Sequence, residues 1–452
     1  MRDEIMKEIP DANKPSTIMV APNAVIKIYE GEYLLKLGEN EFLIDGEIIF
    51  KWVPNLSVNF IGVPRARGAD LHLKFAVGDT DNDGAIFINN IEIGKCFLTR
   101  VNEERIKGTF GKYVVNGDKN IAVDRIKFSV PNFYDFKGLP IQVESENKVN
   151  YTLGRLQFED DKYLITIDKC IDYKDRIELL EDESGYLILC NGELSVKKGV
   201  ITLAETKEIL ACLNNFLTLL NGKKTAALFA QGIFEEQIIW TDFTPYIIDS
   251  HKNVQSWSRT NETKEFNSLW KIFRNKWCVK ENRNFFSSVL HWYSEANQHA
   301  ALIDGSIILA QTALELIYNW WIVEEKEMIL GKDSDSISAS NKIRLLISQL
   351  NVSNNPPLGF DGLIEFMKSL KIATKDAPEA IVNVRNAIVH SQKDKREKLS
   401  KIENRAKYEA LQVYIWYIEL CLLRILEYNG KYYDRCSEER FVAKAIVKVP
   451  WN

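Results

Sequence analysis

Arg385, Asn386 and His390 stand within nine residues of one another in the run "VRNAIVHSQ" at 384–392. These are residue types that phosphodiester chemistry uses. A guanidinium grips phosphate through two parallel hydrogen bonds and keeps its charge at any physiological pH. An imidazole gives and takes a proton near neutrality. An asparagine amide holds either partner in place by hydrogen bonding. Positions five apart on an ideal helix are separated by about 140°, so Arg385 and His390 converge only if a helix ends near Val389. The polar run "SQKDKREK" that follows supplies such an end. Residues 393–407, "KDKREKLSKIENRAK", hold seven basic and three acidic side chains, a local +4 in a chain of formal net charge −5. A basic cluster beside a phosphate-binding and proton-transferring pair is what an RNA site needs. A solvated loop leading into a helix accounts for the same charges. The spacing recurs at "RGADLH", Arg67 to His72, where the following text is strand-like and the context is wrong for a helix-borne pair.

The elements that must position such a pair come from the C-terminal part. From about residue 265 the apolar period becomes 3.6. "FFSSVLHWYSEANQHA" places Phe285, Val289, Trp292 and Ala296 on one stripe. "SIILAQTALELIYNWWIVEEK" is a longer helix, with Asp304 a candidate N-cap. "NKIRLLISQL", "DGLIEFMKSL", "APEAIVNVRNAIVH" and "NRAKYEALQVYIWYIELCLLRILEYNG" complete a set of five or six helices, expected to pack as a bundle.

Upstream, residues 17 to about 205 read as β-rich: runs such as "AVIKIYE", "NEFLIDGEIIFKW" and "KYLITID" are bounded by Gly, Asn and Asp. A helix is expected at about 205–221, on Ile209, Leu210, Leu213, Phe216, Leu217 and Leu220, with Gly222 as its stop. Strand-like text returns in "TAALFAQGIFEEQIIW", and "TPYIIDSHKNVQSWSRTNETKE" reads as a linker. The expected fold class is α+β, with a β-rich N-terminal region at 1–255 and an all-α helical domain at 265–440.

Composition narrows the class. With 46% hydrophobic and 27% charged residues the chain has the balance of a soluble globular protein. The N-terminal "MRDEIMKEIPDANKPS" has no signal-peptide core, and the most apolar run, "LQVYIWYIELCLLRIL", carries Glu419 and Arg424. Seven scattered cysteines without a CxxC pair suit a reducing cytosol. The expectation is a cytoplasmic protein without membrane association.

The segment "RNAIVH" resembles the R-x4–6-H motif of HEPN ribonucleases, in which asparagine often follows the arginine. "LAQTALELIYNWW", "LCLLRILEYNGKYYDR" and the long β-rich N-terminal part are similar to the ApeA-type subgroup of bacterial anti-phage HEPN proteins. The resemblance covers about 265–440. It implies a HEPN-type helical bundle and a metal-independent endoribonuclease that needs no cofactor, with Arg385, Asn386 and His390 as catalytic residues. It implies cleavage by the RNA's own 2′-OH in a groove between two protomers of a homodimer or higher homo-oligomer. It also implies growth arrest in anti-phage defence and a sensing or regulatory N-terminal region that answers a phage-derived trigger. Gln311 and Glu315 are placed either to face that groove or to cap and solvate the bundle. The alternative reading is a non-catalytic helical interaction module joined to a β-rich ligand-binding domain.

No metal site is expected. "GDTDNDGAIFI" sets Asp79, Asp81, Asp83 and Gly84 as in the first half of a calcium loop, but Asn90 at the twelfth position offers no bidentate carboxylate. An acidic β-turn explains it. "NGKKT" at 221–225 lacks the upstream glycine of a P-loop, and His251, His291 and His299 have no partner at ligand spacing. The aromatic groups "HWY" and "NWW" are expected in the bundle core.

Overall fold

The structure is a computed structural model that describes residues 9–66, 73, 77, 84–102, 105–145, 148–260, 263–299, 302–370, 374–389, 402–439 and 443–451. Two compact units divide it, one of 1–134, 138–214 and 225–252, the other of 135–137, 215–224 and 253–452.

In the first unit, runs of buried residues alternating with more exposed ones build long strands, as in the second half of Ile26–Leu37, while others such as Ile188–Val196 are buried for most of their length. β1 (Ile26–Leu37) and β2 (Asn40–Lys51) pair antiparallel along their whole length, turning at Gly38 with φ 56°. β3 (Ser57–Pro64), β4 (Gly84–Ile88), β5 (Ile91–Val101) and β6 (Ile106–Phe110) join them in a closed barrel of order β1-β2-β3-β6-β5-β4. Closure hides the strand edges. Gly46 and Gly62 face each other across β2 and β3, and a Cβ on Gly46 would lie 2.1 Å from the Ile61 carbonyl oxygen. Tyr33, Leu35, Ile44, Ile48, Phe60 and Ile86 are buried in this part of the unit.

The other sheet has eight strands: β7 (Val115–Gly117), β8 (Arg125–Pro131), β9 (Leu139–Ser145), β10 (Lys148–Glu159), β11 (Tyr163–Lys169), β12 (Ile188–Val196), β13 (Leu228–Phe234) and β14 (Gln237–Asp242). Their order is β7-β14-β13-β8-β12-β11-β10-β9, every pairing antiparallel. Opposed residues across strands share a face. One face therefore carries Arg155, Asp168, Asn191 and Ser129 in a row across β10, β11, β12 and β8, with Gln157, Thr166, Glu193, Lys127 and Gln231 in the next row. The intervening Ile126, Phe128, Ile165, Ile167 and Leu194 are fully buried. α1 (Tyr173–Glu183) connects β11 to β12. α2 (Leu203–Asn221) begins with a capping arrangement, in which the Glu205 carboxylate accepts from the Thr202 backbone N–H at 3.0 Å and the Thr202 hydroxyl accepts from Glu205 N–H at 3.2 Å. Residues 215–224, which include its last turns, belong to the second unit.

The second unit is helical: α3 (Phe266–Cys278), α4 (Lys280–Asn297), α5 (Leu302–Ile317) running on as a π-helical stretch at Tyr318–Glu325, α6 (Ala339–Ile347), α7 (Asp361–Ser369), α8 (Ala377–Val389) and α9 (Asn404–Ile425). α9 is buried on nearly every side and touches α4, α5, α6, α7 and α8, which makes it the central helix. A small hairpin, β15 (Lys431–Tyr433) with β16 (Ile446–Lys448), follows. The expected α+β class holds, a β-rich N-terminal half followed by a helical C-terminal region.

Details differ from the sequence expectations. Asp304 lies within the first turn of α5 rather than at its cap, and its carboxylate pairs with Lys407 at 3.0 Å. On α4 the core stripe includes Tyr293 and Leu290, while Trp292 is only half-buried. The expected linker has no regular element between 243 and 260, yet part of it is core. Trp257 is fully buried, its indole N–H donating to Leu219 O at 2.9 Å, and the Ser256 hydroxyl donates to Leu220 O at 2.6 Å. A tryptophan and two buried serines in that polar run are what turn a tether into packed structure. Leu302–Glu325 is long and apolar enough to cross a membrane, an 18-residue window of it having mean hydropathy 1.2, but 61% of that window is buried inside the protein, as for a core helix.

Candidate functional site

α8 starts at a signal legible in "DAPE". Asp376 accepts from the Glu379 backbone N–H at 3.1 Å, and the Glu379 carboxylate accepts from Lys375 N–H at 3.0 Å. Arg344 of α6 closes a bidentate pair with Asp376 at 2.7 and 2.8 Å. Ala377, Ala380, Ile381, Val384 and Ala387 form the buried face of α8. That packing leaves Arg385 and Asn386 half-buried at its margin, near the C-terminal end of the helix.

Arg385 donates from Nη1 to Asn386 Oδ1 at 3.3 Å, a long contact to a neutral amide. Its Nε is buried without a hydrogen-bond partner. Among the described residues no carboxylate stands within ion-pair distance of it. Close by lies a buried chain of polar groups: the Tyr414 hydroxyl of α9 donates to Gln311 Oε1 at 3.0 Å, and Gln311 Nε2 donates to Glu315 Oε1 at 2.8 Å, both on α5. Burial pushes the Tyr414 hydroxyl above the ordinary phenol range, the Arg385 charge draws it down and the Glu315 charge raises it. Arg385 and Glu315 therefore act on one buried hydroxyl from opposite signs. Gln311, 3% exposed, is a member of this chain and not a surface cap.

His390 and residues 391–401, with most of the basic segment, lie outside the described residues, as do Arg67, His72, Asp79, Asp81 and Asp83. The described end of the basic segment is engaged with acids. Arg405 reaches Glu409 at 2.8 Å and Asp361 at 2.9 Å, and Lys407 reaches Asp304. Glu409 in turn accepts the Leu363 backbone N–H at 2.7 Å near the start of α7. These cations hold helices together, so they add no free positive charge for a polyanion.

A second polar cluster is fully buried, and sequence reading did not single it out. Glu419 of α9 accepts from Arg435 Nε at 2.8 Å and from the Tyr293 hydroxyl at 2.7 Å, while Arg435 Nη1 donates to Gln412 Oε1 at 3.1 Å. Burial opposes the Arg435 charge, and the Glu419 carboxylate more than offsets it, leaving its pKa raised. Burial, then the Glu419 charge, pushes the Tyr293 hydroxyl up. The signal was a lone Glu in the apolar run "WYIELCLLRI". It marks a structural ion pair, sealed from solvent at 1% and 0% side-chain exposure. Among the described residues no group of three or more His, Cys, Asp and Glu side chains is placed to hold a metal ion.

The chain is similar to two domain families. Residues 118–254 match the family model of the YopA central domain and residues 280–447 that of the YopA C-terminal domain. Among individual proteins, it is similar to the SPbeta prophage-derived uncharacterized protein YopA of Bacillus subtilis (strain 168). The two are 25% identical over 444 residues, 95% of this chain and 96% of that one. No solved structure matches.

Proposed function

We propose that this chain is a metal-independent, cytoplasmic endoribonuclease of HEPN type that works as a homodimer and arrests growth in anti-phage defence. Arg385 carries the reading. A half-buried guanidinium with an unpartnered Nε, and with no acid in reach among the described residues, loses hydration without recovering it from the protein. A phosphate group seated there supplies the missing acceptor oxygens. Asn386 holds the guanidinium or the phosphate by its amide. His390, five residues on, takes the 2′-OH proton, and the partner copy's histidine protonates the leaving 5′-oxygen. RNA brings its own nucleophile, so the step needs no metal-bound water. The arginines stabilise charge on the phosphorane, and a two-fold dimer supplies both pairs. Seven free cysteines suit the cytosol, and the prophage origin of the similar protein fits phage–host conflict.

One observation favours the alternative, a non-catalytic interaction module: Arg405 and Lys407 are spent on Asp361, Glu409 and Asp304. Purified full-length protein incubated with RNA in EDTA separates the two. Cleavage leaving 2′,3′-cyclic phosphate ends, lost about 100-fold or more in Arg385→Ala and in His390→Ala and unchanged in His72→Ala, supports the ribonuclease. Cleavage by His390→Ala at the parental rate, or cleavage of RNA with a 2′-deoxy cut site, refutes the mechanism.

A further inference from the structure

The polar face of the eight-stranded sheet is already occupied by a piece of the chain. Pro10–Ala12 pair in parallel with the outermost strand, Ala12 N–H donating to Gln142 O at 2.9 Å and Gln142 N–H to Pro10 O at 3.0 Å. Arg155 Nη2 then donates to the Asp11 carbonyl at 2.8 Å. Asn13 N–H donates to Asp168 Oδ2 at 2.7 Å, and the Asn13 side-chain amide donates to Thr166 Oγ1, Thr166 O and Asn191 O at 3.0, 3.2 and 3.3 Å. At the far end the Ser16 and Ser129 hydroxyls lie 3.0 Å apart, and Gln231 Nε2 donates to the Ser16 carbonyl at 2.9 Å. The path from β9 to β13 crosses five strand spacings, about 24 Å. Seven residues cover that only when drawn out almost fully.

A sheet face floored with Arg, Asp, Asn, Thr, Ser and Gln is a costly place to bury chain, because each polar group must find a partner there. The floor includes the Arg155–Asp168 pair, 9% and 1% exposed. The segment does not complete the fit. Clefts of about 410 Å³ and about 400 Å³ open along it, the first lined by Asn191 and the second by Arg125. Asn191, 7% exposed, donates to Cys170 Sγ but keeps a buried Oδ1 without a partner, and Arg125, paired through Nη2 with Glu236, keeps a buried Nε without one.

We propose that this face is a peptide-binding site, that residues 10–16 fill it as an internal stand-in, and that its ligand is an extended polypeptide segment of another protein carrying an asparagine and, three residues later, a hydroxyl. A polypeptide is the class that fits, because three of the contacts read main-chain groups — the carbonyls of Asp11 and Ser16 and the N–H of Asn13 — and edge pairing with β9 adds a strand-like bond pattern. The site lies wholly in the first unit and is independent of the ribonuclease reading, since its test reads binding and not cleavage.

The tethered segment competes at the millimolar effective concentration of a short linker, so the parent chain masks the site. The test uses a fluorescent peptide of residues 9–20 and full-length protein, parent and Asn13→Ala, with Ser16→Ala as a second, milder variant should the first not fold. Anisotropy titration is expected to show binding at least about tenfold tighter to the variants than to the parent. Unlabelled peptide should compete, and a peptide with alanine at its asparagine should not. No binding to the folded variants, equal binding by the alanine peptide, or competition by an oligonucleotide but not by unlabelled peptide each overturns the proposal.

Discussion

Replacing Glu419 by glutamine leaves Arg435 charged and sealed in the helical unit with its principal acceptor neutralised. Arg435 meets that carboxylate through two donors, at 2.8 and 2.5 Å, and both side chains are essentially inaccessible. Breaking one side of a buried, hydrogen-bonded ion pair costs about 3–5 kcal/mol, because the remaining charge stays buried. For a unit of this size each kcal/mol lowers the midpoint by about 2–4 °C, so the transition of the helical unit should fall by about 6–20 °C. Gln412 and the Gln255 carbonyl, at 3.1 and 3.3 Å from Arg435, are neutral acceptors and set the lower end of that range. The assay is thermal and urea unfolding of the full chain, with hydrogen exchange on α9 to assign the transition. The double variant Glu419→Leu with Arg435→Met removes both charges and should recover most of the loss. A loss below about 1 kcal/mol in Glu419→Gln, or a double variant no better than the single one, refutes the view of this cluster as a coupled buried pair.

Two further outcomes follow from burial. Cys278 is exposed and should be the first thiol alkylated by iodoacetamide at pH 8, whereas burial pushes Cys170 up to about 11 and Cys96 up to about 12. Only about one Cys170 in a thousand is then thiolate at pH 8, and its labelling should rise about tenfold per pH unit; mass spectrometry showing Cys170 modified as fast as Cys278 contradicts this. Trp257→Ala empties a fully buried site and frees the Leu219 carbonyl, so a loss of about 3–5 kcal/mol is expected, with faster amide exchange over 215–224; stability within 1 kcal/mol of the parent would deny that this segment is part of the core.

A cut at residue 260 does not isolate the helical unit. That unit also takes residues 135–137, 215–224 and 253–259, and with them Trp257 and the carbonyls it and Ser256 bond. A fragment of 260–452 therefore lacks core and is expected to fold less stably than the unit does in the full chain.

Local chemistry in the sequence determined much of this architecture. Alternation set β1 and β2, apolar spacing set α2, "DAPE" set the start of α8, and the change of period near 265 set the α+β order. These signals act within a few residues, through backbone preference and a one-sided apolar pattern. Pairings between distant strands were not legible: β3 with β6 closes the barrel, and β8 lies between β13 and β12. Each strand alone is compatible with many neighbours, and register is decided by which faces bury together. The same holds for the candidate site. Spacing named Arg385, Asn386 and His390, but only packing of α8 against α9 and α5 brought the Arg385 charge to bear on the buried Tyr414 hydroxyl, which is linked through Gln311 to Glu315. Charge counting credited 393–407 with a free surplus, and the fold pairs Arg405 with acids 4 and 44 residues away and Lys407 with one 103 residues away. Glu419 and Arg435, sixteen positions apart, form a buried pair that nothing in the local pattern of either segment connects. A charge's role depends on what surrounds it in space, and those neighbours come from segments that the one-dimensional pattern leaves unconnected.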